Sequence, residues 1–297
     1  GPRPWWAPGS PPAGPTPDQI ARMVTPAFTS LFGQQFIVDN RSGAGGMLGT
    51  EFAAKATPDG YTLVIGTPGT LTIMQYVQKD VPYNTLRDFT PIGLISIGPY
   101  LLVAHPSVPA KSVGELIALA KAEPAKLTYG SSGNGRTNHL AMELFKTAAG
   151  INIRHVPHKG SRQAATHLIG GQVNVSMLSI GPLLPHVKAQ QLRALAVTSR
   201  KRASQLAQVP TGDESGLKGF KAVTWFGMLA PAHTPKTIVT RIAEGLQKVM
   251  RQPETRAQFQ RQGVEPATCD PAEFARVIRR DTETYGKLAK LSGIKME

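Results

Sequence analysis

The sequence predicts an α/β fold. Two features of the 297 residues carry that expectation. Short apolar runs alternate with amphipathic stretches, the order that lays helices against a sheet, here a largely parallel one. Several of the runs are apolar throughout, as strands buried on both faces must be. Apolar residues make up 41% of the chain, enough for real cores, and the length suits two domains.

In chain order, strands are expected at 36–38, 62–65, 92–97, 100–104, 127–129, 153–156, 173–177 and 192–197. Helices are expected at 18–31, 112–122, 139–149, 162–169, 236–251, 253–262 and 271–291. Ser112 with Glu115 forms a capping box ahead of an apolar stripe. Pro253 and Pro271 suit first helical turns, where a missing N–H costs nothing. The chain breaks near 100–106, at His105-Pro106, and again around 220–231. The economical reading is a discontinuous first lobe, 1–103 plus 224–297, with 104–223 inserted as the second. Two crossings between lobes make a hinge beside a cleft.

Charge tests the partner class. Lys and Arg number 33 against 19 Asp and Glu, a net charge of +14. Residues 144–212 contain no acid and nine cations: Lys146, Arg154, Lys159, Arg162, Lys188, Arg193, Arg200, Lys201 and Arg202. Between 130 and 219 the only Phe, Tyr or Trp is Phe145, so no base-stacking platform accompanies the charge. Nucleic acid is therefore not the expected partner. The stretch reads either as a solvated basic face or as a field that draws in small anions. No apolar run approaches the ~18 residues of a membrane span. The Pro/Gly-rich start has no apolar signal core, so the residues suit a cytoplasmic protein or a mature, processed one.

The motif nearest to chemistry is Gly130-Ser131-Ser132-Gly133-Asn134-Gly135-Arg136-Thr137, between a strand and a helix. It has the spacing of a phosphate-binding loop, but Arg136 stands where that motif needs Lys. A phosphate- or nucleotide-binding enzyme using 130–137 is the alternative reading. The simpler one is a carboxylate or phosphate cradle: hydroxyl and amide donors beside the free N–H groups of a helix start. Similar tips are Gly66-Thr67-Pro68-Gly69-Thr70, the Ala13–Asp18 stretch that opens the first helix, and Ser179 after the 173–177 strand. Ligands in open α/β sheets bind at such carboxyl ends. The glycines of 41–46 lack a dinucleotide fingerprint and read as a tight turn.

Catalytic and metal chemistry find little support. His155 and His158 flank a proline in an extended segment, which is no helical metal pair, and read as packing or hydrogen-bonding residues. His139 either touches a ligand or caps the glycine loop. A nucleophile elbow is absent, and Cys269, the single cysteine, has no catalytic context. No cofactor and no metal are expected.

Several blocks in register carry a family resemblance. They run from Gly33-Gln34-Gln35 through Asn40-Arg41-Ser42-Gly43-Ala44-Gly45-Gly46, Pro58-Asp59-Gly60-Tyr61-Thr62-Leu63, Gly66-Thr67-Pro68-Gly69-Thr70 and Asp88-Phe89-Thr90-Pro91-Ile92. They continue with Tyr129 to Gly135 and His139, His155-Val156-Pro157-His158-Lys159-Gly160, Leu168-Ile169-Gly170-Gly171-Gln172-Val173, Leu192 to Thr198, and Gly227-Met228-Leu229-Ala230-Pro231. With these, the chain resembles the Bug family, the extracytoplasmic solute-binding receptors of tripartite tricarboxylate transporters, over nearly its whole length after Gly14.

The resemblance implies a two-lobed periplasmic binding fold of type II-like architecture with the ligand cleft between lobes. It implies a non-catalytic, monomeric, periplasmic receptor, here in mature form. Such a receptor binds a small mono-, di- or tricarboxylate and hands it to membrane permease subunits or a sensor. Carried over position by position, the implied ligand contacts are Ala13, Gly14 and Thr16; Thr67 and Thr70; Ser131, Ser132, Asn134, Gly135, Thr137 and His139; and Ser179. One segment departs from the pattern. Where family members have an apolar first strand, Trp5-Trp6-Ala7-Pro8-Gly9-Ser10-Pro11-Pro12 has little strand character. At most a short strand is expected at 5–7, with an altered first ligand loop after it.

Overall fold

The computed structural model describes residues 4–7, 17–41 and 43–291. They divide into two compact units. One comprises the described residues up to Ile97 together with those from Trp225 onward, and the other runs from Gly98 to Thr224.

In the first unit, β1 (Pro4–Ala7) leads to α1 (Pro17–Phe32) and β2 (Ile37–Asn40). Next come a 3-10 turn at Ala44–Gly46, α2 (Met47–Ala54) and β3 (Val64–Gly66). A π-turn at Gly69–Ile73 continues into α3 (Met74–Val77), and α4 (Thr85–Asp88) precedes β4 (Phe89–Ala104). The second unit adds α5 (Val113–Ala122), β5 (Thr128–Ser131), α6 (Thr137–Ala149), β6 (Arg154–Pro157) and α7 (Ser161–Ile169). It continues with β7 (Val175–Ser179), α8 (Ile180–Lys188) and β8 (Arg193–Val197). Then β9 (Val223–Pro231) returns the chain to the first unit for α9 (Lys236–Arg251), α10 (Pro253–Arg261), β10 (Glu265–Pro266) and α11 (Pro271–Leu291).

The first unit's strands follow the order β2-β1-β3-β9-β4-β10, and the second's the order β8-β4-β7-β5-β6. Both are sandwiched by apolar side chains on two faces. Leu63 and Ile65 enter one core with Ile20, Phe28, Met228 and Leu246, while Val64 enters another with Trp225, Leu229 and Phe274. The second unit alternates in the same way: Leu102 and Met177 face one core, Leu101, Val103 and Leu178 the other. Period-2 alternation between two apolar layers explains why these strands read as unbroken apolar runs.

The sheets are mixed rather than largely parallel. β1 pairs in parallel with β2 and β3, and β5 with β6 and β7. β4 runs antiparallel to β7, β8 and β10, and β3 antiparallel to β9. Continuous apolar character marks burial on two faces and carries no information about strand direction.

The strands expected at 92–97 and 100–104 are one strand of 16 residues, β4. Gly98-Pro99 lies between the two expected strands. Ile97 is registered with β10 and Tyr100 with β7, so Pro99 sits where the strand changes partners and a missing N–H is tolerated. Strand β9 lies at the chain break expected around 220–231. Helix α8 was not among the expected helices; Pro182 falls in its first turn, where no N–H is required. The four-residue β1 matches the short strand expected at 5–7. Ser112 caps α5 through a 3.1 Å bond from Glu115 N–H, while the Glu115 carboxylate reaches back to Lys111 N–H at 2.7 Å.

Candidate functional site

The glycine loop hangs between β5 and α6. Gly133 (φ 129°) and Gly135 (φ 66°) both take backbone angles that side chains resist, and so turn the chain sharply into the first N–H groups of α6. The loop is held from behind. Ser131 is fully buried; its hydroxyl bonds Gly133 O and accepts from Gly133 N–H, each at 3.1 Å, and meets His155 Nε2 at 2.6 Å. Gly135 N–H donates to His139 Nδ1 at 3.0 Å, which fixes the neutral ring's proton on Nε2. His139 thus caps the loop through Nδ1.

His139 and His155 stack with centroids 3.9 Å apart and planes 9° from parallel, and Tyr129 stacks on His155 at 4.7 Å. The Tyr129 hydroxyl donates to Glu143, which also takes both bonds of Lys146, at 2.8 and 3.0 Å. Burial pushes the His139 pKa down to about 4, against a small opposing pull from Glu143. Burial, then the neighbouring His139, pushes His155 down to about 3. Desolvation likewise raises the Tyr129 phenol. Two neutral imidazoles therefore back the loop at any ordinary pH.

The donor side of the loop includes one residue the sequence reading missed. Asn138, 4% exposed, accepts from the Ser132 hydroxyl at 2.6 Å, but its buried Nδ2 has no hydrogen-bond partner. Burial raises the Tyr100 phenol, with Thr224 and Thr137 pulling the other way. Asn134 is exposed, while Arg136, whose stem lies over Gly133, is half-buried with its pKa lowered by desolvation. The spacing of His139 and Glu143, one helical turn apart, was the available signal for the buried network. Nothing local to Asn138 marked its amide as unsatisfied.

In the first unit, Thr67 and Thr70 close a small turn. Their hydroxyls lie 3.4 Å apart, and Thr67 N–H reaches Thr70 Oγ1 at 3.3 Å. Behind them Tyr83 donates to Thr70 O and Thr85 to Leu71 O, each at 2.6 Å. Gly66 permits this packing, since a Cβ there would lie 2.1 Å from Leu71 Cδ1. Ser179 ends β7 at the start of α8, and its side chain makes no capping bond. Ala13, Gly14 and Thr16 lie outside the described residues. So Ser131, Ser132, Asn134, Gly135, Thr137 and His139 share one loop, Thr67 and Thr70 share another, and Ser179 stands at a third strand tip.

Of the nine cations in the acid-free stretch, Lys146 is paired with Glu143, Arg202 with Glu214, and Arg193 bonds Val108 O and Ala110 O. Arg154, Lys159, Arg162, Lys188, Arg200 and Lys201 are exposed. Among the described residues no helix is long and apolar enough to cross a membrane.

A family model described as tripartite tricarboxylate transporter family receptor matches residues 20–294. Protein BugT of Bordetella pertussis is 31% identical over 288 residues, covering 97% of this chain and 88% of that protein. Among solved structures, Rpa4515 of Rhodopseudomonas palustris with adipate is 34% identical, with a TM-score of 0.87 over 99% of this chain and 98% of that one. MatC from the same organism, with bound malate, is 26% identical, with a TM-score of 0.80 over 97% and 98%. A strand-tip donor loop on this mixed α/β fold, with a family match over nearly its whole length, makes the chain a member of the tripartite tricarboxylate transporter receptor family.

Proposed function

We propose that this chain is a non-catalytic periplasmic receptor for a small carboxylate, which it passes to transporter membrane subunits. The observation that carries the reading is the 131–137 loop. Its two positive-φ glycines turn the chain into the start of α6, and there the buried Asn138 Nδ2 lacks an acceptor. Buried amide hydrogens are rarely left unpaired, and a ligand carboxylate oxygen is the acceptor that also suits a helix N-terminus. The adipate and malate of the two related structures support the class of ligand.

In this reading the units joined through β4 and β9 are the two lobes expected from the sequence. Thr67, Thr70 and Ser179, together with Ala13, Gly14 and Thr16, are the further ligand contacts of this reading. Recognition rests on neutral donors, and the exposed cations of 154–201 supply long-range attraction for anions.

The test is thermal unfolding against adipate, malate, citrate and a set of amino acids. A ligand that binds only the native state raises the midpoint with concentration. We expect at least one carboxylate to do so; no shift with any of them overturns the proposal.

A further inference from the structure

Behind the donor face of the glycine loop lies a feature that ligand contact does not explain. Two imidazoles are packed ring on ring, and each holds a different residue of the loop. His139 Nδ1 takes the Gly135 N–H, and His155 Nε2 meets the Ser131 hydroxyl, which in turn fastens both backbone groups of Gly133. Gly133 and Gly135 are the two positive-φ residues of the loop, so both of its sharp turns are tied to the stack. We propose that His139 and His155 are positioning residues, which hold the 131–137 loop in its anion-receiving shape only while both rings are neutral.

The two rings depend on neutrality in different ways. A proton on His139 Nδ1 takes the lone pair that accepts Gly135 N–H, so that bond is lost outright. A proton on His155 leaves its bond to Ser131 possible but places a cation 3.9 Å from the His139 ring, in a site with little water to screen it.

The groups facing the stack come from every neighbouring element. β5 contributes Tyr129, and α6 contributes Glu143 and Lys146, while Arg136, just before α6, lies against Gly133. The segment after β6 contributes His158, bonded through Nε2 to His167 of α7 at 2.9 Å. Glu143 is the acid of this set, and its oxygens are already shared by Tyr129 and Lys146. Lys146, His158 and the partner imidazole all oppose a positive charge on His155. The arrangement therefore favours neutral rings and a formed loop well below neutral pH.

This inference rests on the receptor reading for its effect on affinity, but the stack can be tested without ligand. In the intact, 15N-labelled protein, we expect the His139 ring to carry its proton on Nε2. The Gly135 amide resonance should shift with the protonation of His139, with a midpoint well below 6.5. A midpoint near 6.5, or a Gly135 amide indifferent to His139 protonation, overturns the proposal.

With adipate as the probe at pH 7, His139→Leu and His155→Leu should each weaken binding about tenfold, the equivalent of one hydrogen bond. His139→Asn, which keeps an acceptor at the Nδ1 position, and His155→Gln, which keeps a polar atom at Nε2, should stay within about threefold of wild type. Equal losses in the Leu and conservative variants would overturn the positioning role. If wild type does not bind adipate, the carboxylate that raised its melting midpoint replaces it as the probe, and if none did, the receptor reading fails. The Gly135 titration then decides the stack alone, and it does so equally if a variant does not fold.

Discussion

The turn at Thr67–Thr70 and the loop at 131–137 solve the same problem with different materials. Each follows a buried strand and opens a helical segment, and each presents hydroxyl and N–H groups. The first is backed by hydroxyls: Tyr83 and Thr85 donate to the carbonyls of Thr70 and Leu71. The second is backed by two imidazoles, a phenol and a carboxylate–ammonium pair. Hydroxyl backing does not titrate in any ordinary range, and burial drives the Tyr83 phenol further from it. Imidazole backing stays neutral because it is desolvated, and it ties the loop's shape to the proton.

Acid should separate the two most sharply. The folded-state pKa of His139 is depressed to about 4 from 6.5, so the unfolded chain binds the proton more readily. Its contribution to stability is complete above about pH 6.5 and is lost as the pH falls toward 4. For His139 this amounts to on the order of 3 kcal/mol. Denaturant midpoints at pH 7 and pH 4 should show the loss, and His139→Asn should remove part of the pH dependence. Amide exchange should quicken around 131–137 before it does around 67–73; the reverse order would break the comparison.

Glu143→Ala should be about as costly, near 3 kcal/mol, because it strands the Tyr129 hydroxyl and the Lys146 ammonium in a largely buried site. Thermal unfolding reads it, and a loss under 1 kcal/mol would mean the network is better solvated than its geometry indicates. On the other side, Gly66→Ala should cost about 2 kcal/mol by forcing Leu71 away from the new methyl group. Its effect should be the same at pH 7 and pH 5, since no titrating group is involved. Tyr83→Phe should be the mildest, at about 1 kcal/mol for one lost hydrogen bond to Thr70 O.

Much of the fold was legible from residue order. Ser112 and Glu115 marked the start of α5, Pro253 that of α10, and the poor strand character of 5–12 anticipated a four-residue β1. The errors have a common origin. Two strands were expected where β4 is one; Pro99 between them cannot donate to a ladder, yet at that point β4 is changing ladders. Pro182 likewise sits at the start of α8, a helix that was not expected. A local rule about a missing donor fails where tertiary structure has no use for the donor. The loop residues Ser131, Ser132 and Thr137 were readable from their spacing. Asn138, Tyr129 and Glu143 were not, because burial and an absent partner are properties of the assembled unit.

The family, the α/β class and the glycine-loop motif follow from the sequence by itself, since hydrophobic period, turn chemistry and motif spacing are local and survive without neighbours. Tertiary structure alone decided which strands run antiparallel, that β4 and β9 each contribute to both units, and that His139 and His155 stack. Those outcomes depend on residues far apart in the chain or on the packing of one element against another. The histidines show it most plainly: 16 positions separate them in sequence, and 3.9 Å of desolvated contact makes them a neutral pair.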